Sequence, residues 1–247
     1  MGKKFIFISA ICLLTIFQFG WAQPSDRYND NWKKIDQYEK RGLTNSARKE
    51  AKNIFLLAVK DQQASEQIRA LLYLMKYNMT LEEDPLYLNF QYTDSLARVS
   101  PNPVNNILRS IQAEICVTYL NQNRYNLYSR TKLETENEED IRTWGIDKLI
   151  AKSGELYKAS LENAVVLQQT RLSDWEPMLD KGENTRHLRP TLFDLLAHRA
   201  LHYFMNEQYG VTKPADRFTI RDENAFAPAS DFVKIRFNTT DSSSMHF

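Results

Sequence analysis

The stretch Ala47-Arg48-Lys49-Glu50-Ala51-Lys52-Asn53-Ile54-Phe55-Leu56-Leu57-Ala58 decides how this chain folds. Ala47, Ala51, Ile54, Phe55 and Ala58 recur at i, i+4, i+7, i+8 and i+11, which places them on one face of a helix. Arg48, Lys49 and Lys52 fall on the other face. A strand would need strict alternation, and alternation is nearly absent before residue 232. The segment therefore reads as an amphipathic helix that buries one stripe against its neighbours.

The same pattern continues outward on both sides. Upstream, Tyr28, Trp32 and Ile35 share one face of a helix expected from about Arg27 to Arg41, with Gly42 in the C-terminal capping position. Downstream, Asp61-Gln62-Gln63 leads into a helix with Ile68, Leu71, Leu72, Met75 and Met79 on its inner face. Asp84-Pro85 starts a helix to about Val99, because proline suits the first helical position. Pro101 and Pro103 break the chain, and Val104, Ile107, Leu108, Ile111, Ile115 and Tyr119 stripe the next helix, which extends towards Ser129.

The acidic segment 132–142 has little apolar surface and reads as a solvated linker. A helix from Ile146 to about Leu167 follows, using Leu149, Ile150, Leu156, Leu161 and Ala164, then a short turn at Ser173 to Lys181. The most apolar helix is expected from Pro190 to about Asn206. Past Lys213-Pro214 the pattern changes, and Phe232, Ile235 and Phe237 belong to a strand-like segment. Glycine and proline, seven and eight residues, fall mostly between these stretches, Gly154 being the exception inside one. The expected fold is all-α: stacked antiparallel helical hairpins, as a tetratricopeptide-like array or an irregular bundle, with a short C-terminal strand-like segment. The Trp-Leu-Gly-Tyr consensus of that repeat is absent.

Residues 1–22 read as a secretory signal peptide: Lys3 and Lys4, an apolar run from Phe5 to Phe19, and small Gly20 and Ala22 ahead of a cut before Gln23. The apolar run is shorter than the ~20 residues that span a bilayer. Residues 23–210 are assigned to the helical domain and 211–247 to an extended tail that begins further structure. Loss of Lys3 and Lys4 lowers Lys plus Arg from 32 to 30 against 31 acidic residues, a formal charge near −1. That balance argues against nucleic acid as a partner. Of the two cysteines, Cys12 lies in the signal, where Ile11 disfavours lipidation, and Cys116 is left alone, so the fold rests on packing.

The sharpest chemical constellation is Asp194, His198 and His202, spaced i, i+4, i+8, with His187 just upstream. Two imidazoles four apart can bind zinc. A zinc protease places Glu after the first histidine as general base, whereas Arg199 stands there. The favoured reading is a structural polar seam on a nearly buried helix, with Asp194 accepting from His198 and Arg199 reaching an acidic partner. No metal, cofactor or catalytic residue is assigned. Cys116, between Ile115 and Val117, reads as a buried small hydrophobe. Trp32, Trp144 and Trp175 read as packing between helices. Asn78 and Asn238 begin glycosylation triplets and are given no role.

The run Arg186-His187-Leu188-Arg189-Pro190-Thr191-Leu192-Phe193-Asp194-Leu195-Leu196-Ala197-His198-Arg199-Ala200-Leu201, followed by Phe226-Ala227-Pro228-Ala229-Ser230-Asp231-Phe232, resembles the N-terminal part of large alpha-2-macroglobulin-like proteins of Bacteroidetes-type bacteria. Trp32-Lys33-Lys34-Ile35, Gly42-Leu43 and Ala47 extend that resemblance to the start of the mature chain. In that family an exported helical region precedes β-sandwich macroglobulin domains, a bait segment and, in many members, a thioester. The resemblance implies protease trapping in the periplasm or at the cell surface of a Gram-negative bacterium. The Cys-Gly-Glu-Gln thioester motif is absent, so no reactive residue carries over.

The expected role is a non-catalytic scaffold or docking segment of such a protein, with protein partners or further domains of a longer chain. A strand at 232–237 with nothing to pair with leads to the expectation that this chain is an incomplete copy. A free-standing exported helical module that binds peptide or glycan is the alternative. A metal-dependent hydrolase centred on His198 and His202 is the third reading.

Overall fold

A computed structural model describes residues 24–129, 137–179, 186–206, 227–232 and 234. The helices are α1 (Pro24–Lys40), α2 (Thr44–Lys60), α3 (Ala64–Leu81), α4 (Pro85–Val99), α5 (Val104–Ser129), α6 (Ile146–Ala159), α7 (Ala164–Gln169), α8 (Leu192–Phe204) and the single turn α9 (Ala229–Phe232). Tighter 3-10 turns occupy Ile141–Thr143, Leu172–Met178 and Arg186–Leu188. No strand occurs among the described residues, and no helix there is long and apolar enough to cross a membrane. The fold is all-α.

From α1 to α6 each helix packs on the next, and α8 then packs on α5, α6 and α7. Three-residue links (41–43, 61–63 and 82–84) join the first four helices, too short for anything but a reversal of direction. The α1 link is closed by two hydrogen bonds: Gly42 N donates to Glu39 O and Leu43 N to Tyr38 O, at 3.0 and 2.9 Å. That pairing needs a residue with positive φ, and Gly42 adopts +67°. The α2 link repeats it with Gln62 at φ +55°, where Gln63 N reaches Ala58 O at 2.9 Å.

Ala47, Ala51, Ile54, Phe55 and Ala58 are all buried, as their spacing requires. Small residues at three of those five positions let α2 lie close between α1 and α3. Pro85 takes the first position of α4. On α3 the inner face differs from the expected one. Ile68, Ala70, Leu71, Leu74 and Tyr77 are in the core, whereas Leu72 and Met75 are half-buried and Met79 is 43 % exposed.

Two further expectations are corrected. The helix from Ile146 breaks after Ala159, and Asn163 adopts φ +57° before α7 begins. The cause is remote in sequence: Asn106 on α5, buried, donates its amide to Ser160 O and Glu162 O at 3.1 and 2.9 Å. Those carbonyls find their partner across an interface instead of in a continued helix.

The acidic linker is anchored at its described end. Ile141 and Trp144 are buried, Trp144 Nε1 donates to Asn137 O at 2.6 Å, and the indole meets Phe90 edge-on at 5.4 Å. Asp140 caps the 3-10 turn by accepting from Arg142 N. The Arg142 side chain bonds Asp140 and Asp84 while stacking on Tyr87, and those bonds hold the Asp140 carboxyl below its usual range.

At the C-terminal end, Phe232 closes α9 where a strand was expected to begin. Most of 232–237, residues 207–226 and the signal segment lie outside the described residues.

Candidate functional site

The residues that carry the resemblance build the closing part of the fold. Thr191 caps α8: its hydroxyl accepts from Asp194 N at 3.3 Å, and the Asp194 carboxylate accepts from Thr191 N at 2.9 Å. This reciprocal box satisfies donors that a helix start leaves open. The helix therefore begins at Leu192, two residues after the expected Pro190. Pro190 instead offers its carbonyl to Leu172 N at 2.9 Å, and Leu192 N donates to Thr170 O at 2.9 Å. Arg171 and Thr191 thus form an antiparallel bridge. The bridge is the base of a strap whose Leu172–Met178 turn packs on α3 through buried Leu172 and Trp175. The expected short turn at Ser173 is this strap.

Asp194, His198 and His202 do not form a bonded seam. Asp194 is committed to the cap, while His198 and His202 are exposed, as is His187. The reason is phase: Leu192, Leu196, Ala200 and Tyr203 set the buried side of α8, and at 100° per residue the two histidines fall on the opposite side. Arg199, which directly follows His198, turns inward. Its Nε donates to Ser110 Oγ at 2.8 Å, and Nη2 approaches Glu114 Oε2 at 3.4 Å. The acidic partner expected for Arg199 is thus Glu114 on α5. Glu114 Oε2 also accepts from Tyr157 of α6 at 2.9 Å. Burial first, then the Glu114 charge, pushes the Tyr157 phenol above its ordinary value.

Beside this network lies a cleft of about 500 Å³ between α3, α5, α8 and the strap. Leu72, Met75 and Met79 come from α3, Ile111 and Ile115 from α5, and Leu195 from α8. Met178 and Leu179 close it from the strap. Its polar edge includes Arg199, Glu114, Thr118 and Lys76. Lys76 donates to Glu39 at 2.8 Å, and Tyr77 donates to the same oxygen at 2.7 Å. Burial opposes ionisation of Glu39, but those bonds and the Lys76 charge outweigh it and hold the carboxyl below its usual range. Among the described residues no aromatic side chain lines the cleft.

Sequence reading placed Met75 and Met79 in the core and so passed over the cleft. The available signal was their phase on α3, displaced from Leu71, Leu74 and Tyr77.

The remaining candidates are structural. Trp32 donates from Nε1 to buried Glu66 at 2.7 Å under the Arg69 guanidinium, and Trp144 and Trp175 are buried. Cys116 is fully buried, and burial pushes its thiol up to about 12, where thiolate chemistry is suppressed. Asn78 spends its amide on Asn89 at 2.8 Å, and Asn238 lies outside the described residues. Among the described residues no cluster of histidine, cysteine and acidic side chains is arranged to hold a metal ion. No protein-family model matches this chain, and no match to it is found among curated proteins or solved structures.

Proposed function

We propose that this chain is an exported, non-catalytic helical scaffold, the N-terminal docking region of an alpha-2-macroglobulin-like protease-trapping protein. The observation that carries the reading is the part played by the run Leu188 to Leu201. The residues that resemble that family tie the strap to the array through Pro190 and Thr191, start α8, and place Arg199 against α5. A segment whose most distinctive residues serve the fold, with an open cleft on its surface, suits a part that holds other parts.

Trapping itself would belong to macroglobulin domains joined to this region. The leader at residues 1–22 supports export to the periplasm or the outer surface. The test is the reading frame beyond Phe247. Coding sequence for β-sandwich domains in that frame, or in a shifted frame directly after it, is the expected result.

The second reading, a free-standing exported binding module, is favoured by the cleft alone. Its apolar, non-aromatic lining suits peptide better than glycan, since sugars pack on aromatic faces. An intact operon in which related short proteins end at the same place would move that reading to first position.

A further inference from the structure

We infer that the cleft between α3, α5, α8 and the strap binds a short, extended apolar segment of a protein partner, whose main chain lies along the edge formed by Arg199 and Glu114. This rests on the docking role proposed above and names the chemistry of what docks.

The volume, about 500 Å³, lies within the usual range for sites that enclose a compact ligand. It has room for a few apolar side chains and none for a folded domain. Three of the wall residues, Met75, Met79 and Met178, are thioethers drawn from two separate elements. Unbranched and polarizable, they reshape around different apolar groups more easily than branched side chains do.

The polar edge selects among apolar ligands. Its charges are balanced, Lys76 by Glu39 and Arg199 by Glu114, so no net positive field awaits an anionic head group. It offers donors and acceptors together. Arg199 spends Nε and Nη2 on Ser110 and Glu114 and leaves Nη1 unspent, while Glu114 Oε1 and the Thr118 hydroxyl have no partner among the described residues. An extended peptide presents one N–H and one C=O per residue and matches such an edge. A helix has already satisfied its main chain, an acyl chain carries acceptors only, and a glycan finds no aromatic face here. Because successive side chains of an extended segment alternate, every second one would enter the cleft.

The test uses the purified full chain. A random dodecapeptide library displayed on phage is selected against it, and the enriched peptide is synthesised with blocked ends and titrated by fluorescence anisotropy. The expected result is enrichment of apolar residues at alternate positions and 1:1 binding. Met79→Glu, an exposed position that leaves the core untouched, should weaken binding by about tenfold or more. Leu195→Glu on α8 serves as the second variant, and palmitate should not compete. Failure to enrich any peptide, binding that survives both substitutions, or displacement by palmitate overturns the inference. Envelope location without peptide binding rejects this inference alone, whereas a cytoplasmic chain that binds peptide rejects the scaffold role alone.

Discussion

Arg199 on α8 donates from Nε to the hydroxyl of Ser110 on α5 at 2.8 Å, joining residues 89 positions apart. Ser110 is 1 % exposed, so its hydroxyl has little access to water if Arg199 is lost, whereas the Arg199 guanidinium is partly open to solvent. Ser110→Ala should lower stability by about 0.5–1.5 kcal/mol, by removing the bond while the guanidinium keeps Glu114 and solvent. Urea unfolding of the variant, with an unchanged slope and a lower midpoint, is the expected result.

His198 and His202 face solvent, opposite the buried side of α8. His198→Ala and His202→Ala should each stay within about 0.5 kcal/mol of the parent, as surface changes do. Purified protein should carry no stoichiometric zinc for either change to remove. Thermal unfolding and metal analysis check this, and a loss above about 1.5 kcal/mol would restore the buried seam expected from sequence.

How far the fold was legible follows from where each cause lies. The α2 stripe from Ala47 to Ala58, the Gly42 cap and the Pro85 start depend on residues close in sequence, and all three were read. The break at Asn163 is tied to Asn106, 57 positions away, and its local signal is weak: Asn163 is a residue that tolerates positive φ. Ser160 to Asn163 carries no proline or glycine to end a helix. The cleft was missed because Met75 and Met79 are apolar in helical phase, and periodicity cannot tell a residue that packs on a neighbour from one that lines an opening. The position of the histidines is not legible from composition, because an apolar helix need not be buried all round: Leu201 on α8 is 40 % exposed.

Gln62 and Gly42 hold equivalent positions at the ends of α2 and α1, and both have positive φ. Gln62→Gly should raise stability by about 0.5–1 kcal/mol, because glycine adopts this region without the steric cost of a Cβ. Gly42→Ala should lower it by about 1 kcal/mol, although a Cβ there would meet nothing within 4 Å, so the loss would be conformational. Paired denaturation curves should move in opposite directions.

Cys116, Tyr77 and Tyr157 all have acid groups that burial pushes upward, Cys116 to about 12 from an ordinary 9.0. Above pH 9 the unfolded chain loses the thiol proton while the folded chain keeps it, so stability falls as pH rises from about 9 to 12. The tyrosines add to the same trend from about pH 10. Below about pH 8 these groups are almost fully protonated in both states and contribute little slope. Stability measured from pH 7 to 11 should be flat and then decline, and a thiol reagent at pH 8 should label Cys116 only on unfolding.

The proposed role requires that this helical array be exported and joined to a larger trapping protein. An antibody to the described helical region would recover the native polypeptide from fractionated cells for mass spectrometry. Recovery from the envelope, a mature N-terminus at Gln23, and peptides from macroglobulin domains on the same polypeptide are the expected result. Recovery from the cytoplasm with Met1 still in place would contradict it.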